Sequence, residues 1–324
     1  MMLSVSTSLR PAAVYRGTMT TTTDPPLTLR RAVDSGSVVV LDGGLSVVLA
    51  EAGCDLSSDL WTAALLRDSP AAVVAAHRRY LDAGARVSTT ASYQASVDGF
   101  VAAGMGADAA EGLIRDSVRL AREAAESVDD GSVSWVAASV GPYGAALADG
   151  SEYRGDYDLS TSALRDFHAR RLEVLAAAGP DVMAVETIPD VREAEVLVPL
   201  LDDLGVDAWF SYAVADGRTR AGQPLDEAFA VVAGSSSVIA AGVNCCAPDD
   251  VLEALVAVRD AGVPAGVAYP NQGRAWDAQR HTWTGRASFD LALVPAWVEA
   301  GARLVGGCCE VGPDHIAALS RSLP

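Results

Sequence analysis

VMAVETIPDVREAEVLVPLLDDLGVDAWFSYA, residues 182–213, holds the repeating unit from which the fold can be read. It opens on a short apolar run, Val182–Glu186, and turns at Thr187-Ile188-Pro189. A longer pattern of apolar and acidic residues follows over Val191–Leu204 and stops at Gly205, and a second apolar run begins at Asp207–Ala213. A short buried strand, a longer amphipathic helix and a glycine stop together make one βα unit.

The same pattern extends in both directions. Further strands are expected at Val38–Asp42, Ala85–Ala91, Ser134–Val140, Val238–Asn244, Ala265–Tyr269 and Arg303–Gly307. Helical patterns lie between them at Pro70–Ala83, Ala107–Val128, Ser160–Ala178, Asp249–Ala261 and Phe289–Ala300. Gly84, Gly179, Gly262 and Gly301 punctuate the helix ends as Gly205 does. Eight strand-then-helix units over residues 29–324 predict an α/β fold, a single (β/α)8 TIM barrel. A doubly wound sheet is the alternative, but no G-x-G-x-x-G turn follows the first strand. Residues 1–28 are rich in Ser and Thr and lack an apolar signal core. They read as a flexible N-terminal tail, with Met19 an alternative start.

Composition narrows the chemistry. All 24 basic residues are arginine, and the absence of lysine excludes Schiff-base, pyridoxal-phosphate-anchor and P-loop mechanisms. A net charge of −18 argues against nucleic-acid partners; it serves solubility, and it would also draw in a cationic small molecule. No apolar stretch is long enough for a membrane span. The five cysteines are odd in number and clustered, which does not describe a disulfide framework, and the expected location is the cytoplasm. Oligomeric state leaves no mark in the sequence.

In a barrel of this kind the site lies where strands run into their following loops. The sixth strand ends Asn244-Cys245-Cys246 and the eighth Gly306-Gly307-Cys308-Cys309. Three thiolates with an open fourth position suit a zinc ion, Zn2+. Cys308 and Cys309 can both ligate only where the strand has broken, which the two glycines permit. Of the other pair, Cys245 completes the strand and is the expected ligand, with Cys246 a spectator. A closed structural site would need His315 as a fourth ligand. Two carboxylates, Asp42 and Glu186, stand at the ends of the first and fourth strands. They could serve as acid and base, hold a substrate ammonium, or cap the next helix. Thr89–Ser96 supplies hydroxyl, aromatic and amide groups for a polar pocket. The long loop Gly141–Tyr157 reads as a lid, with tolerated slack in the connection as the alternative. Histidine is scarce: His77 and His168 fall in helical patterns and His281 in a loop.

These motifs together resemble homocysteine S-methyltransferase, and within it the branch that uses S-methylmethionine. The resemblance is carried by Asp42-Gly43-Gly44, Thr90-Ala-Ser-Tyr-Gln-Ala-Ser96, Ser139-Val-Gly-Pro-Tyr-Gly144 and Gly150-Ser-Glu-Tyr-Arg-Gly-Asp-Tyr157. Glu186-Thr187-x-Pro189, Gly242-x-Asn244-Cys245, Tyr269-Pro-Asn271 and Gly306-Gly-Cys-Cys309 extend it to the C-terminus. It implies zinc on Cys245, Cys308 and Cys309, and a homocysteine site formed by Asp42, Gly43, Thr90, Tyr93, Gln94, Glu186 and Asn244. The implied reaction moves a methyl group from S-methylmethionine or S-adenosylmethionine to homocysteine, giving methionine. The alternatives are betaine as donor or selenocysteine as acceptor and, more remotely, a zinc-binding barrel without catalysis. Glu310 and Cys246 depart from the family pattern.

Overall fold

The structure, a computed structural model, describes residues 27–58, 60–277 and 282–323. Residues 1–26 of the expected tail, with Met19, lie outside the described residues, as does His281. All eight expected strands form, in one parallel sheet. They are β1 (Val39–Val40), β2 (Val87–Thr89), β3 (Trp135–Val140), β4 (Val182–Ile188), β5 (Ala208–Tyr212), β6 (Val238–Asn244), β7 (Gly266–Tyr269) and β8 (Ala302–Val305). Consecutive strands pair from β2 to β8, and β8 returns to β1 through Val39 opposite Leu304. At the remaining seam the Arg86 N–H donates to the Val40 carbonyl at 2.8 Å. The ring is a (β/α)8 barrel.

Ten of the helices organise its surroundings: α1 (Leu29–Asp34), α2 (Leu45–Glu51), α3 (Pro70–Asp82), α4 (Ala107–Glu126), α5 (Thr161–Ala177), α6 (Val191–Leu204), α7 (Leu225–Ala233), α8 (Val251–Asp260), α9 (Val294–Glu299) and α10 (Pro313–Ser322). Helix α9 starts later than the expected Phe289–Ala300. Asp290 caps a short 3-10 turn by accepting from the Ala292 N–H, and Pro295 suits only a first turn. No helix among the described residues is long and apolar enough to cross a membrane.

Side chains alternate across each strand, so two cores form. Met183 and Val185 of β4 face the helices, whereas Val182 and Ala184 face the lumen with Val39, Trp135, Trp209, Val267 and Leu304. Leu29, Ala32 and Val33 of α1 join this inner core and plug the N-terminal end of the barrel. Continuing the alternation one layer towards the strand ends brings Ser139, Glu186, Ser211, Asn244 and Tyr269 into the lumen, and all are buried. A dry apolar plug thus carries a polar floor, and the floor lies where loops can cover it.

Close approach of β6 to β7 requires glycine at 242, because a Cβ there would stand 1.8 Å from the Val267 carbonyl oxygen. Gly242→Ala is expected to cost about 3 kcal/mol through forced separation of the two strands. Thermal unfolding would measure it, and an unchanged midpoint would show that the strands can part freely.

Candidate metal centre

Three sulfur atoms converge above the polar floor. Cys245 Sγ lies 3.5 Å from Cys309 Sγ, Cys308 Sγ lies 4.0 Å from Cys309 Sγ, and all three fall within 4.8 Å of one another. Two thiolates on one tetrahedral zinc, each at about 2.3 Å, stand about 3.8 Å apart, so the cluster has the dimensions such an ion requires. A disulfide is far shorter, and all five cysteines are free. Among the described residues this is the group of sulfur, nitrogen or carboxylate donors dense enough to hold a metal. Hydrogen bonds from Cys308 and Cys309 hold the Cys245 thiol well below the usual thiol range.

The backbone around the cluster is shaped to place the sulfurs. Cys245 follows the end of β6 at φ +49°, a left-handed conformation that a non-glycine residue adopts only when its surroundings enforce it. The Cys308–Cys309 turn is gripped from both sides. Gly307 N–H donates to Asp42 O at 3.1 Å, Cys308 N–H to Pro270 O at 2.8 Å, and Gln272 N–H to Cys309 O at 3.1 Å. Gly306 and Gly307 serve close packing rather than backbone freedom. A Cβ at the first would meet Leu41 at 2.6 Å, and at the second Val311 at 2.1 Å. Cys246 turns away into the apolar core. His315 stands apart from the sulfur group: its Nδ1 accepts from the Gly312 N–H at 3.2 Å and its Nε2 faces the Gln272 amide at 3.1 Å.

Asp42 and Glu186 are both buried at the strand-end side of the barrel, and neither caps a helix. Asp42 completes the β1–β2 seam, accepting from Thr89 N–H at 2.6 Å and Thr89 Oγ1 at 2.8 Å. Glu186 accepts from the Ser139 hydroxyl and the Tyr269 phenol. Burial pushes each carboxyl up to about 7. The Thr89 bonds offset this partly for Asp42, and those from Ser139 and Tyr269 do so for Glu186. Each also repels a neighbouring negative group, Glu186 acting on Asp42 and Cys245 on Glu186. The strand carrying Glu186 runs two residues beyond the expected end. It does so through a bulge that sets Thr187 at φ +61° and frees its N–H for Asn244 Oδ1 at 2.7 Å. Asn244, clamped by Thr187 and by Ser211 at 2.9 Å, directs its amide nitrogen to Cys308 Sγ at 3.9 Å.

The second-strand residues divide. Tyr93 lies against Gly141 and near Cys245 and Glu152, and buried Gln94 leaves its Oε1 without a partner while its Nε2 donates to Ala145 O at 3.3 Å. Thr90 instead uses its hydroxyl internally, 2.6 Å from Ser92 Oγ and accepting from Ser139 N–H at 3.0 Å. Gly43 packs its α-carbon against Tyr80 and Val311 O. Loop 141–157 folds into a helix, Tyr143–Leu147, and a 3-10 turn, Ser151–Tyr153, which brings the Tyr153 phenol 3.2 Å from Cys245 Sγ. Ser139, Tyr153, Thr187, Ser211 and Tyr269 were not among the sequence candidates. For Ser139, Ser211 and Tyr269 the period-two alternation carried a signal, whereas Tyr153 needs the fold of its loop.

The chain is similar to known proteins in sequence and in fold. The family model described as homocysteine S-methyltransferase matches residues 39–323. The homocysteine S-methyltransferase of Escherichia coli is 42% identical over 301 residues, covering 90% of this chain and 97% of that protein. Homocysteine S-methyltransferase 1 of Zea mays is 40% identical over 308 residues, covering 89% and 95%. The crystal structure of the metallated form of the Escherichia coli homocysteine methyltransferase MmuM superposes with a TM-score of 0.81 at 39% identity, covering 91% of this chain and 99% of that one.

Proposed function

The chain belongs to the homocysteine S-methyltransferase family and is a methyltransferase, and from that premise we propose that it is a zinc enzyme methylating homocysteine from a sulfonium donor. The donor in this reading is S-methylmethionine or S-adenosylmethionine. The observation that carries it is the trio of sulfurs at tetrahedral spacing at the same strand-end mouth of the barrel as two buried carboxylates, Asp42 and Glu186.

Cys245, Cys308 and Cys309 would hold the zinc. When bound, the ion supplies acidity that turns a thiol near pKa 8.5 into a thiolate at neutral pH, so no side-chain base is needed. The remaining work belongs to the protein. Glu186 and Asp42, in their ionised forms, receive the ammonium of homocysteine and so aim its sulfur at the cluster. Asn244 fixes the orientation of Cys308 through its bonds to Thr187 and Ser211. Tyr153 and Tyr93 wall the space beside Cys245 and keep water from the reacting sulfur. The acceptor sulfur attacks the donor's methyl carbon in line. A new carbon–sulfur bond forms as the old one breaks, and the bonding pair leaves with the former sulfonium. Attraction of a cationic donor to a chain of net charge −18 supports the donor class. Catalysis in the cytoplasm is part of the same proposal.

The decisive experiment incubates zinc-loaded protein with carbon-13-labelled homocysteine and, separately, S-methylmethionine, S-adenosylmethionine or betaine. Mass spectrometry should find labelled methionine with a sulfonium donor. Labelled methionine from betaine alone would overturn the donor, and unmethylated homocysteine throughout would overturn the activity.

A further inference from the structure

Beneath loop 141–157 lies a cluster of buried charge that the reaction itself does not use. Glu193, in the first turn of α6, is fully buried, and three donors converge on its carboxylate. They are the Tyr143 backbone N–H at 2.6 Å, the Tyr157 phenol and His168 Nε2 at 2.7 Å. Tyr143 and Tyr157 are the two legs of the loop, so a single side chain holds both. Arg171 of α5, 1% exposed, donates to the carbonyls of Gly141 at 3.0 Å, Tyr93 at 3.0 Å and Ser92 at 3.3 Å. That cation ties the third-unit loop to the second-unit loop. Its charge is met through space by Glu193 and from above by the ring of Phe167, 5.4 Å away.

Burying a carboxylate and a guanidinium without pairing them directly is expensive compared with apolar packing. What these groups supply that apolar side chains cannot is direction, because each hydrogen bond fixes one backbone or phenol group in place. The groups so fixed carry the two tyrosines of the site. Tyr93 follows from the Ser92 and Tyr93 carbonyls, and Tyr153, 3.2 Å from Cys245 Sγ, lies between the two clamped legs.

We propose that Glu193 and Arg171 are positioning residues: they latch loops two and three together so that Tyr93 and Tyr153 stand over the thiol centre in reactive geometry. The proposal rests on the methyl-transfer reading for its kinetic consequence and on contacts alone for the latch. Tyr157→Phe removes one donor, Glu193→Gln removes the charge, and Tyr212→Phe is the matched control. Tyr212 also loses one buried phenol donor, to Ala228 O at 2.9 Å, but on β5 away from the loop.

Two measurements read the latch. With no lysine, trypsin cuts only after arginine, and exposed Arg154 is the arginine of this segment. Cleavage there should accelerate at least about 10-fold in Tyr157→Phe and more in Glu193→Gln, with Tyr212→Phe matching wild type. Steady-state kinetics should show kcat lowered by about 100-fold in the latch variants, with KM for homocysteine moving little and metal content unchanged. Wild-type cleavage or wild-type kcat in Tyr157→Phe would overturn the proposal, as would an equal loss of kcat in Tyr212→Phe. If wild type transfers no methyl group from any donor, the function fails. Faster cleavage then still establishes the latch, and its absence removes that too.

Discussion

Cys308→Ala is expected to abolish metal binding and methyl transfer while the barrel stays folded. Removing one of three thiolates should weaken zinc by roughly 10³-fold or more, since a complete structural site is worth about 10–16 kcal/mol. Activity should fall at least as far. The fold should survive because Cys308 lies beyond β8 on a turn held by backbone bonds to Pro270, Gln272 and Asp42, and those do not involve its sulfur. Cys246→Ala supplies the contrast. Its sulfur packs in the apolar core, so the loss is a small cavity, about 1 kcal/mol, with metal content unchanged. Metal analysis, circular dichroism and the labelled-methionine assay check both variants. Full activity in Cys308→Ala, or metal lost from Cys246→Ala instead, would assign the ligands differently.

Glu186→Gln is the second large effect. A neutral amide keeps the shape and the bond to Ser139 but cannot balance a buried ammonium, so KM for homocysteine should rise about 100-fold. The same carboxyl makes binding depend on pH. Glu186 and Asp42 are held near 7 by burial, so at pH 6 each must release a proton to receive an ammonium, which costs about 10-fold in affinity per group. Affinity should therefore grow from pH 6 to pH 8. Methionine, which has the ammonium but no thiol, isolates this effect when its binding is followed by calorimetry. The stability of the free protein moves the opposite way. The folded state holds these protons more tightly than the unfolded chain, so their contribution falls as pH rises from about 4 to about 7. A flat affinity for methionine from pH 6 to pH 8, or an unchanged KM in Glu186→Gln, would remove the carboxylates from the substrate site.

Much of the architecture was legible along the chain because a βα unit announces itself locally. The apolar run Val182–Glu186, the helical pattern to Leu204 and the stop at Gly205 each depend on neighbours a few residues away. Eight such units leave little freedom, and their closure brings β6 and β8, with the cysteines that follow them, to one end. The late start of α9 was less legible, because Asp290 and Pro295 compete with an apolar pattern that continues through them. The site was partly legible for a related reason. Cysteines at strand ends are rare enough to stand out, whereas Ser139, Ser211 and Tyr269 are ordinary residues whose importance comes from facing the lumen.

By itself the sequence determined the unit, its number, the lysine-free chemistry and the residue types gathered at the strand ends. Only the tertiary structure decided how those residues are used. It brought the expected ligand Cys245 within reach of Cys308 and Cys309 through a left-handed backbone turn and packed Cys246 into the apolar core. It engaged Asp42 at the seam with Thr89, and it joined Glu193 and Arg171 to loops far away along the chain. The physical reason is range. Helix and strand formation follow from short-range periodicity, but which side chains meet in the lumen depends on barrel closure, strand parity and single bulges. Each of those is settled by contacts between residues that the linear pattern keeps apart.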